Sequence, residues 1–151
     1  LVKLAPSTLT VVCILAMAKV MDHSGMITAL SAWLVTATGP VYPLVAGFMG
    51  TLGTFVTGSD TSSNILFGKL QVEVASRTGL DPYWLAAANT AGATAGKMIN
   101  PQSIAVATSA TGLQGQEGTI LGKTVVFCLA YVVILGILVQ SLAPLVRFAP
   151  Y

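Results

Sequence analysis

No formal charge falls between Ser24 and Ser59, and none between Thr124 and Val146. The second run, coiled at about 1.5 Å per residue, is long enough to cross the hydrocarbon core of a bilayer unaided. The rest of the chain agrees: 54% of its 151 residues are hydrophobic and 8% are charged, whereas a soluble domain carries about a quarter charged residues. The expected class is therefore an all-α integral membrane protein, because in lipid a helix satisfies all its backbone groups within one segment. The residues that carry information are then the polar ones that interrupt the apolar segments.

The charge excludes one large class of partner. A formal net charge of +2, with seven Lys and Arg dispersed along the chain, gives no footprint for nucleic acid. Cys13 and Cys128 each lie in an apolar segment, where a thiol packs as a small hydrophobe, and no spacing suggests a metal, a cofactor or a disulfide framework. The sequence opens Leu1-Val2-Lys3 without an initiator Met or a signal-peptide pattern, which reads as the C-terminal part of a longer protein.

In chain order, a first apolar helix is expected from about Pro6 to Met21, with Lys19 near enough to its end to snorkel. Asp22-His23-Ser24-Gly25 breaks it at a water interface, where His23 reads as interfacial before it reads as a proton relay. Met26 to about Thr38 is apolar but short for a crossing; Trp33 suits a membrane boundary and Gly39-Pro40 ends the segment. From about Pro43 to Thr57, Gly47, Gly50 and Gly53 recur at helical spacing, which allows another backbone to approach closely. Gly58-Ser59-Asp60-Thr61-Ser62-Ser63-Asn64 follows, seven small or polar residues with an acid among them. The chain then returns as a helix from about Ser62 to Thr78, on which Lys69, Glu73 and Arg77 are spaced for two ion pairs.

Thr78-Gly79-Leu80-Asp81-Pro82 is a helix stop followed by a helix start. A helix from Pro82 to about Thr90 is expected to falter over Ala91 to Pro101, which holds Gly92, Gly96, Lys97 and a proline. It resumes with Asn100 as cap and Pro101 in the first turn, so that about 82–111 forms one broken crossing. Gly112 to Gly118 reads as a surface loop, and a last transmembrane helix runs from about 119 to 145, with Arg147 anchoring its end.

Non-helical backbone at membrane depth is tolerated only where protein buries it or a wet cavity receives it. The two breaks, around Asp60 and around Lys97 to Pro101, would present half-helix N-termini to anions and free carbonyls to cations. Asp60 and Lys97 are also the ionisable groups hardest to place at an interface, which makes them functional candidates. Plainer roles stand beside these. Asp60 could be the N-cap of the returning arm, Lys97 a snorkelling residue or a structural counter-ion to Asp60, Asn100-Pro101 a cap, and Gly92 with Gly96 a close-packing pair.

Phe55-Val56-Thr57-Gly58-Ser59-Asp60-Thr61-Ser62-Ser63-Asn64, with Ala87-Ala88-Asn89-Thr90-Ala91-Gly92 and Gly96-Lys97-Met98-Ile99-Asn100-Pro101-Gln102-Ser103-Ile104-Ala105, resembles the C-terminal part of the bacterial L-lactate permease family. The resemblance covers essentially the whole chain, including Ser24-Gly25-Met26 and the final helix. Where family members commonly carry Ser, this chain has Asn100; both residues cap helices. The family resembles, more distantly, the dicarboxylate–sodium symporters of the ion-transporter superfamily. That implies a transporter half-repeat with a re-entrant helical hairpin (about 41–78) and a broken transmembrane helix, moving as an elevator, and a missing N-terminal repeat of the same protein. It also implies proton-coupled uptake of L-lactate, glycolate or related 2-hydroxy acids across the bacterial inner membrane by a multi-pass protein, with a homo-oligomer as one arrangement. At most half of such a machine is in hand, so transport by this segment alone is not expected.

The residues supply a mechanism for that function. A partly dehydrated Asp60 would favour its neutral form, and its charge would repel an incoming carboxylate, so protonation would precede lactate binding. Lys97, or the amides of Gln102 and Ser103 at the half-helix start, would receive the carboxylate. Ser59, Thr61, Ser62, Ser63, Asn64, Asn89 and Thr90 could meet the hydroxyl. A sodium-coupled organic anion symporter is the nearest alternative, with oxygen ligands from Ser62, Asn64, Asn89, Thr90 and carbonyls at both breaks. A membrane enzyme lacks a nucleophile and base set, and a non-transporting scaffold would leave two polar breaks unexplained.

Overall fold

A computed structural model describes residues 5–146, with the side chains of residues 5–11 and 14 outside the description, as is Arg147. The architecture is all-helical: α1 (Ala5–His23), α2 (Met26–Thr38), a 3-10 turn (Gly39–Val41), α3 (Tyr42–Thr57), α4 (Asp60–Thr78), α5 (Pro82–Gly96), α6 (Pro101–Thr111) and α7 (Glu117–Leu142). Met26–Thr57, taken through the turn, and Glu117–Leu142 are each long and apolar enough to cross a membrane.

The ends of the helices follow from the side chains available to their orphan backbone groups. α3 stops at Gly58, whose φ of 74° lets its N–H return to the Thr54 carbonyl. Ser59 then caps α4, its hydroxyl accepting from the Ser62 N–H at 3.3 Å, so Asp60 is the first helical residue and not the cap. The serine wins because it takes the extended conformation an N-cap needs (φ −141°, ψ 129°). Asp60 lies instead within the first turn, beside the positive end of the helix dipole. The stop and start at Gly79 and Asp81 form as expected, with Asp81 Oδ1 accepting from the Trp84 N–H at 2.9 Å.

α5 departs from the expectation. It runs unbroken through Gly92 to Gly96, and the interruption is confined to Lys97–Asn100. The reason is tertiary: Gly92 stands against Gly47 of α3, and a Cβ built on it would lie 1.7 Å from the Gly47 carbonyl oxygen. The same holds at Gly50, whose Cβ would lie 1.8 Å from the Asn89 carbonyl oxygen. Helix packing at backbone distance replaces the entropy that glycine forfeits. Two smaller differences concern α7, which starts at Glu117 and ends at Leu142, ahead of Pro144, a residue with no N–H to extend the ladder.

α3 lies centrally, with α4, α5 and α7 against it. The main core joins Ile27 and Leu34 of α2, Tyr42 and Ala46 of α3, Leu70 and Val74 of α4, Leu85 of α5 and Val139 of α7. A smaller cluster joins Ala95 to Cys128 and Val132 under Met98 and Ile99. The outer face of α7 leaves Val126, Phe127, Val133 and Ile134 more than half exposed, as a helix facing lipid would.

Only one of the two ion pairs allowed by the α4 spacing forms within the helix. Arg77 pairs with Glu73 at 3.0 Å, but Lys69 pairs with Asp22 at the end of α1. The Lys69 ammonium beside Asp22 holds that carboxyl below the usual carboxylate range. A depressed pKa contributes stability above the ordinary Asp value of about 3.9, lost as pH falls through the lower folded value. Amide protection at the end of α1 in the full-length protein, corrected for the intrinsic pH dependence of exchange, should therefore fall as pH drops below about 3.9, and Lys69→Ala should remove that fall.

Candidate functional site

The hairpin tip and the α5–α6 break meet through Asn100. Its Nδ2 donates to the carbonyls of Thr54 (3.3 Å) and Phe55 (2.9 Å) in the last turn of α3, while its Oδ1 accepts from the Ser103 N–H at 2.9 Å and caps α6. One buried amide thus satisfies orphan groups at a helix C-terminus and a helix N-terminus together. The tip and the α6 start are in contact at a second point, since a Cβ on Gly58 would lie 2.7 Å from Gln102 Oε1. The N-termini of α4 and α6 therefore share one neighbourhood.

Asp60 is half-buried in this neighbourhood, with the Thr54 hydroxyl donating to its Oδ1 at 3.4 Å. Lys97 is exposed just past the end of α5, and among the described residues it forms no ion pair with Asp60. The reading of Lys97 as a structural counter-ion to Asp60 therefore gains no contact. Gln102 and Thr61 are exposed and Ser103 is half-buried, its hydroxyl turned toward Asn100 Oδ1 at 3.4 Å.

Several of the expected polar residues are already engaged in the fold. The Ser59 hydroxyl caps α4, Ser62 is buried behind it, and the fully buried Ser63 hydroxyl donates to the Gly50 carbonyl at 2.9 Å, tying the hairpin arms together. One helical turn beyond Ser59 to Asp60, a second polar group forms. Asn64 Oδ1 accepts from Asn89 Nδ2 at 2.8 Å and from the Thr90 hydroxyl at 3.1 Å. Asn89 is fully buried, and its Oδ1 accepts from Gln71 Nε2 at 3.2 Å; Gln71 Oε1 accepts from the Tyr42 hydroxyl at 2.9 Å.

Tyr42 and Gln71 were not singled out from the sequence. Gln71 could have been: it stands seven residues after Asn64, two turns along the same helical stripe. Tyr42 carried no such signal, because a Tyr next to a helix-starting proline reads as a boundary residue until the core is assembled. The network matters because a buried amide left unpaired costs about 1–3 kcal/mol.

The N-termini of α4 and α6 lie together with the half-buried Asp60 carboxylate, and the group of Asn64, Asn89 and Thr90 stands one helical turn further along α4. The family model for L-lactate permease matches residues 1–146. The chain is 45% identical over 138 residues to the glycolate permease GlcA of Escherichia coli (strain K12), covering 91% of this chain and 24% of that protein. It is 53% identical over 85 residues to the L-lactate permease of Streptococcus iniae (56% and 18%), and 45% over 117 residues to that of Bacillus subtilis (strain 168) (78% and 21%). The chain thus spans a quarter or less of the length of these relatives, all of them permeases. No solved structure matches it. With the family model covering nearly all of its length, the chain belongs to the L-lactate permease family.

Proposed function

We propose that this chain is a membrane transport segment of a secondary active permease that takes up L-lactate, glycolate or related 2-hydroxy monocarboxylates together with a proton across the bacterial inner membrane. In this reading α3 and α4 are the arms of a re-entrant hairpin and α5 with α6 a crossing broken at Lys97–Asn100. α7 is a transmembrane helix of a multi-pass protein whose other repeat lies outside this segment.

The observation that carries the reading is the Asn100 amide, which ties the last turn of α3 to the first turn of α6 and so brings the α4 N-terminus, with Asp60 in its first turn, close to that of α6. Helix N-termini favour an anion, and an acid placed there would oppose one unless it first took up a proton. Lys97, Gln102 and the α6 amides would receive the carboxylate. Asn64 and Thr90, about 6 Å further along α4 by helical rise, would meet the hydroxyl, and Thr61 and Ser62 the space between. Ser59, Ser63 and Asn89 act through the fold they hold.

A lactate gradient applied to vesicles containing the full-length permease should drive proton uptake, and Asp60→Asn should abolish that proton flux while lactate exchange persists. Unchanged coupling in the variant would overturn the assignment. Accumulation driven by an imposed sodium gradient, with none driven by protons, would make the protein a sodium symporter instead.

A further inference from the structure

α4 and α5 enclose an open groove of about 560 Å³, to which Asn64 and Thr90 bring polar groups and Val72, Tyr83 and Ala86 an apolar side. We infer that the buried relay Tyr42–Gln71–Asn89 fixes the hydrogen-bonding polarity of this groove, making Asn64 a donor and Thr90 an acceptor. That pairing selects 2-hydroxy acids over the same acids without the hydroxyl. The inference rests on the transport reading above and adds to it the residues that set the preference.

The polarity is forced from the buried end. Gln71 Nε2 faces the Ala46 backbone carbonyl at 3.4 Å, a group that can only accept, so the amide nitrogen of Gln71 must point that way. Its Oε1 is then left for the Tyr42 hydroxyl, which donates. The same Gln71 nitrogen reaches Asn89, which must therefore present its oxygen and turn its own Nδ2 to Asn64. Asn64 Oδ1 accepts that bond and another from Thr90, so both N–H groups of Asn64 are left over. Among the described residues they have no protein acceptor, and Asn64 contributes no atom that is both buried and unsatisfied. They face the accessible groove.

Thr90 is the complement. Its single hydroxyl hydrogen is directed at Asn64 Oδ1 or at the Ala86 carbonyl (3.0 Å), so toward an incoming group its oxygen can offer only lone pairs. The hydroxyl of a 2-hydroxy acid is donor and acceptor at once: its oxygen can take a bond from Asn64 Nδ2 while its hydrogen goes to Thr90 Oγ1, and the carboxylate stays with the α6 N-terminus. The short alkyl end, hydrogen in glycolate and methyl in lactate, is left to the apolar side of the groove. An acid without the hydroxyl gives Thr90 Oγ1 nothing to accept from, and the bond lost is the difference between the two substrates. Asn64 and Thr90 are the contacting residues; Asn89, Gln71 and Tyr42 are positioning residues.

The test measures initial uptake of lactate and of propionate, which differ by the hydroxyl, in vesicles carrying the full-length permease. Thr90→Val, an isosteric change at an exposed position, should cut the lactate-over-propionate preference about tenfold, with the change carried by the lactate KM and not by kcat. Gln71→Leu should shift the same ratio in the same direction, an effect that loss of packing alone would not produce, since it would lower uptake of both acids together. Should Gln71→Leu fail to fold, Thr90→Val still decides. A Thr90→Val permease that transports and keeps its full preference for lactate overturns the inference while leaving the permease reading intact. A wild-type protein that carries neither lactate nor glycolate overturns both.

Discussion

Gly92→Ala is expected to abolish transport by the full-length permease and to destabilise it severely, the largest effect of any single methyl added to this chain. The new Cβ would lie 1.7 Å from the Gly47 carbonyl oxygen and 2.4 Å from its carbon, both backbone atoms with no rotamer to move. Overpacking of an ordinary core costs about 1–3 kcal/mol because side chains give way; here α3 and α5 must part along their length. Separation would also stretch the Thr51 to Gly92 bond, a buried hydroxyl donating to the Gly92 carbonyl at 2.8 Å. A melting experiment on the purified protein in detergent, beside uptake in vesicles, checks this. Gly68→Ala serves as the control, since a Cβ there meets nothing within 4 Å; its melting temperature should stay near that of the wild type. Equal stability of Gly92→Ala and wild type would show that the two helices do not pack at backbone distance.

Asn100→Ala is expected to be the next most damaging change. It removes the cap of α6, worth about 1 kcal/mol, and strips the carbonyls of Phe55 (2.9 Å) and the buried Thr54 (3.3 Å) of their donor, adding about 1–3 kcal/mol. The sum, roughly 2–4 kcal/mol, should appear as a lower melting temperature together with protease sensitivity at the hairpin tip. Asn100→Ser separates the two contributions. A serine keeps the cap and is too short to carry two donors to the end of α3, so it should recover the α6 part of the loss and leave the tip loosened. If Asn100→Ser and Asn100→Ala were equally impaired at α6, the capping assignment would fail.

Much of this arrangement was legible in the sequence because it rests on local chemistry. The capping at Asp81 and Asn100, the glycine stop at Gly79 and the close-packing role of Gly47 and Gly50 each follow from one residue and its immediate neighbours. What was not legible depends on which helices face one another. The spacing of Gly92 and Gly96 reads as close packing or as a break in the helix; α3 across from them decides between the two and makes Gly92 the tightest of the glycine contacts. Lys69 was spaced for Glu73, yet its partner is Asp22, nearly fifty residues away in the chain. Ser59 and Asp60 are both competent N-caps, and no rule of spacing ranks them; the backbone path out of Gly58 does. At the candidate site, sequence cannot tell a side chain that faces a groove from one whose bonds are used up inside the fold. Ser63 and Asn89 are of the second kind.

The contact between Gly47 and Gly92 also limits how these helices can move. Two helices separated by side chains can slide by re-sorting rotamers, but at backbone distance there are no rotamers to re-sort. A slip of α5 along α3 by one turn in one sense would set Ala88 where Gly92 now stands, and its methyl would meet the Gly47 carbonyl. The pair is keyed in that sense, and shear toward it is closed as a degree of freedom. With the Asn100 amide pinning the far end, α3, α4, α5 and the start of α6 are held to travel together, and α7 is keyed to them where a Cβ on Gly136 would lie 2.7 Å from the Leu44 carbonyl oxygen.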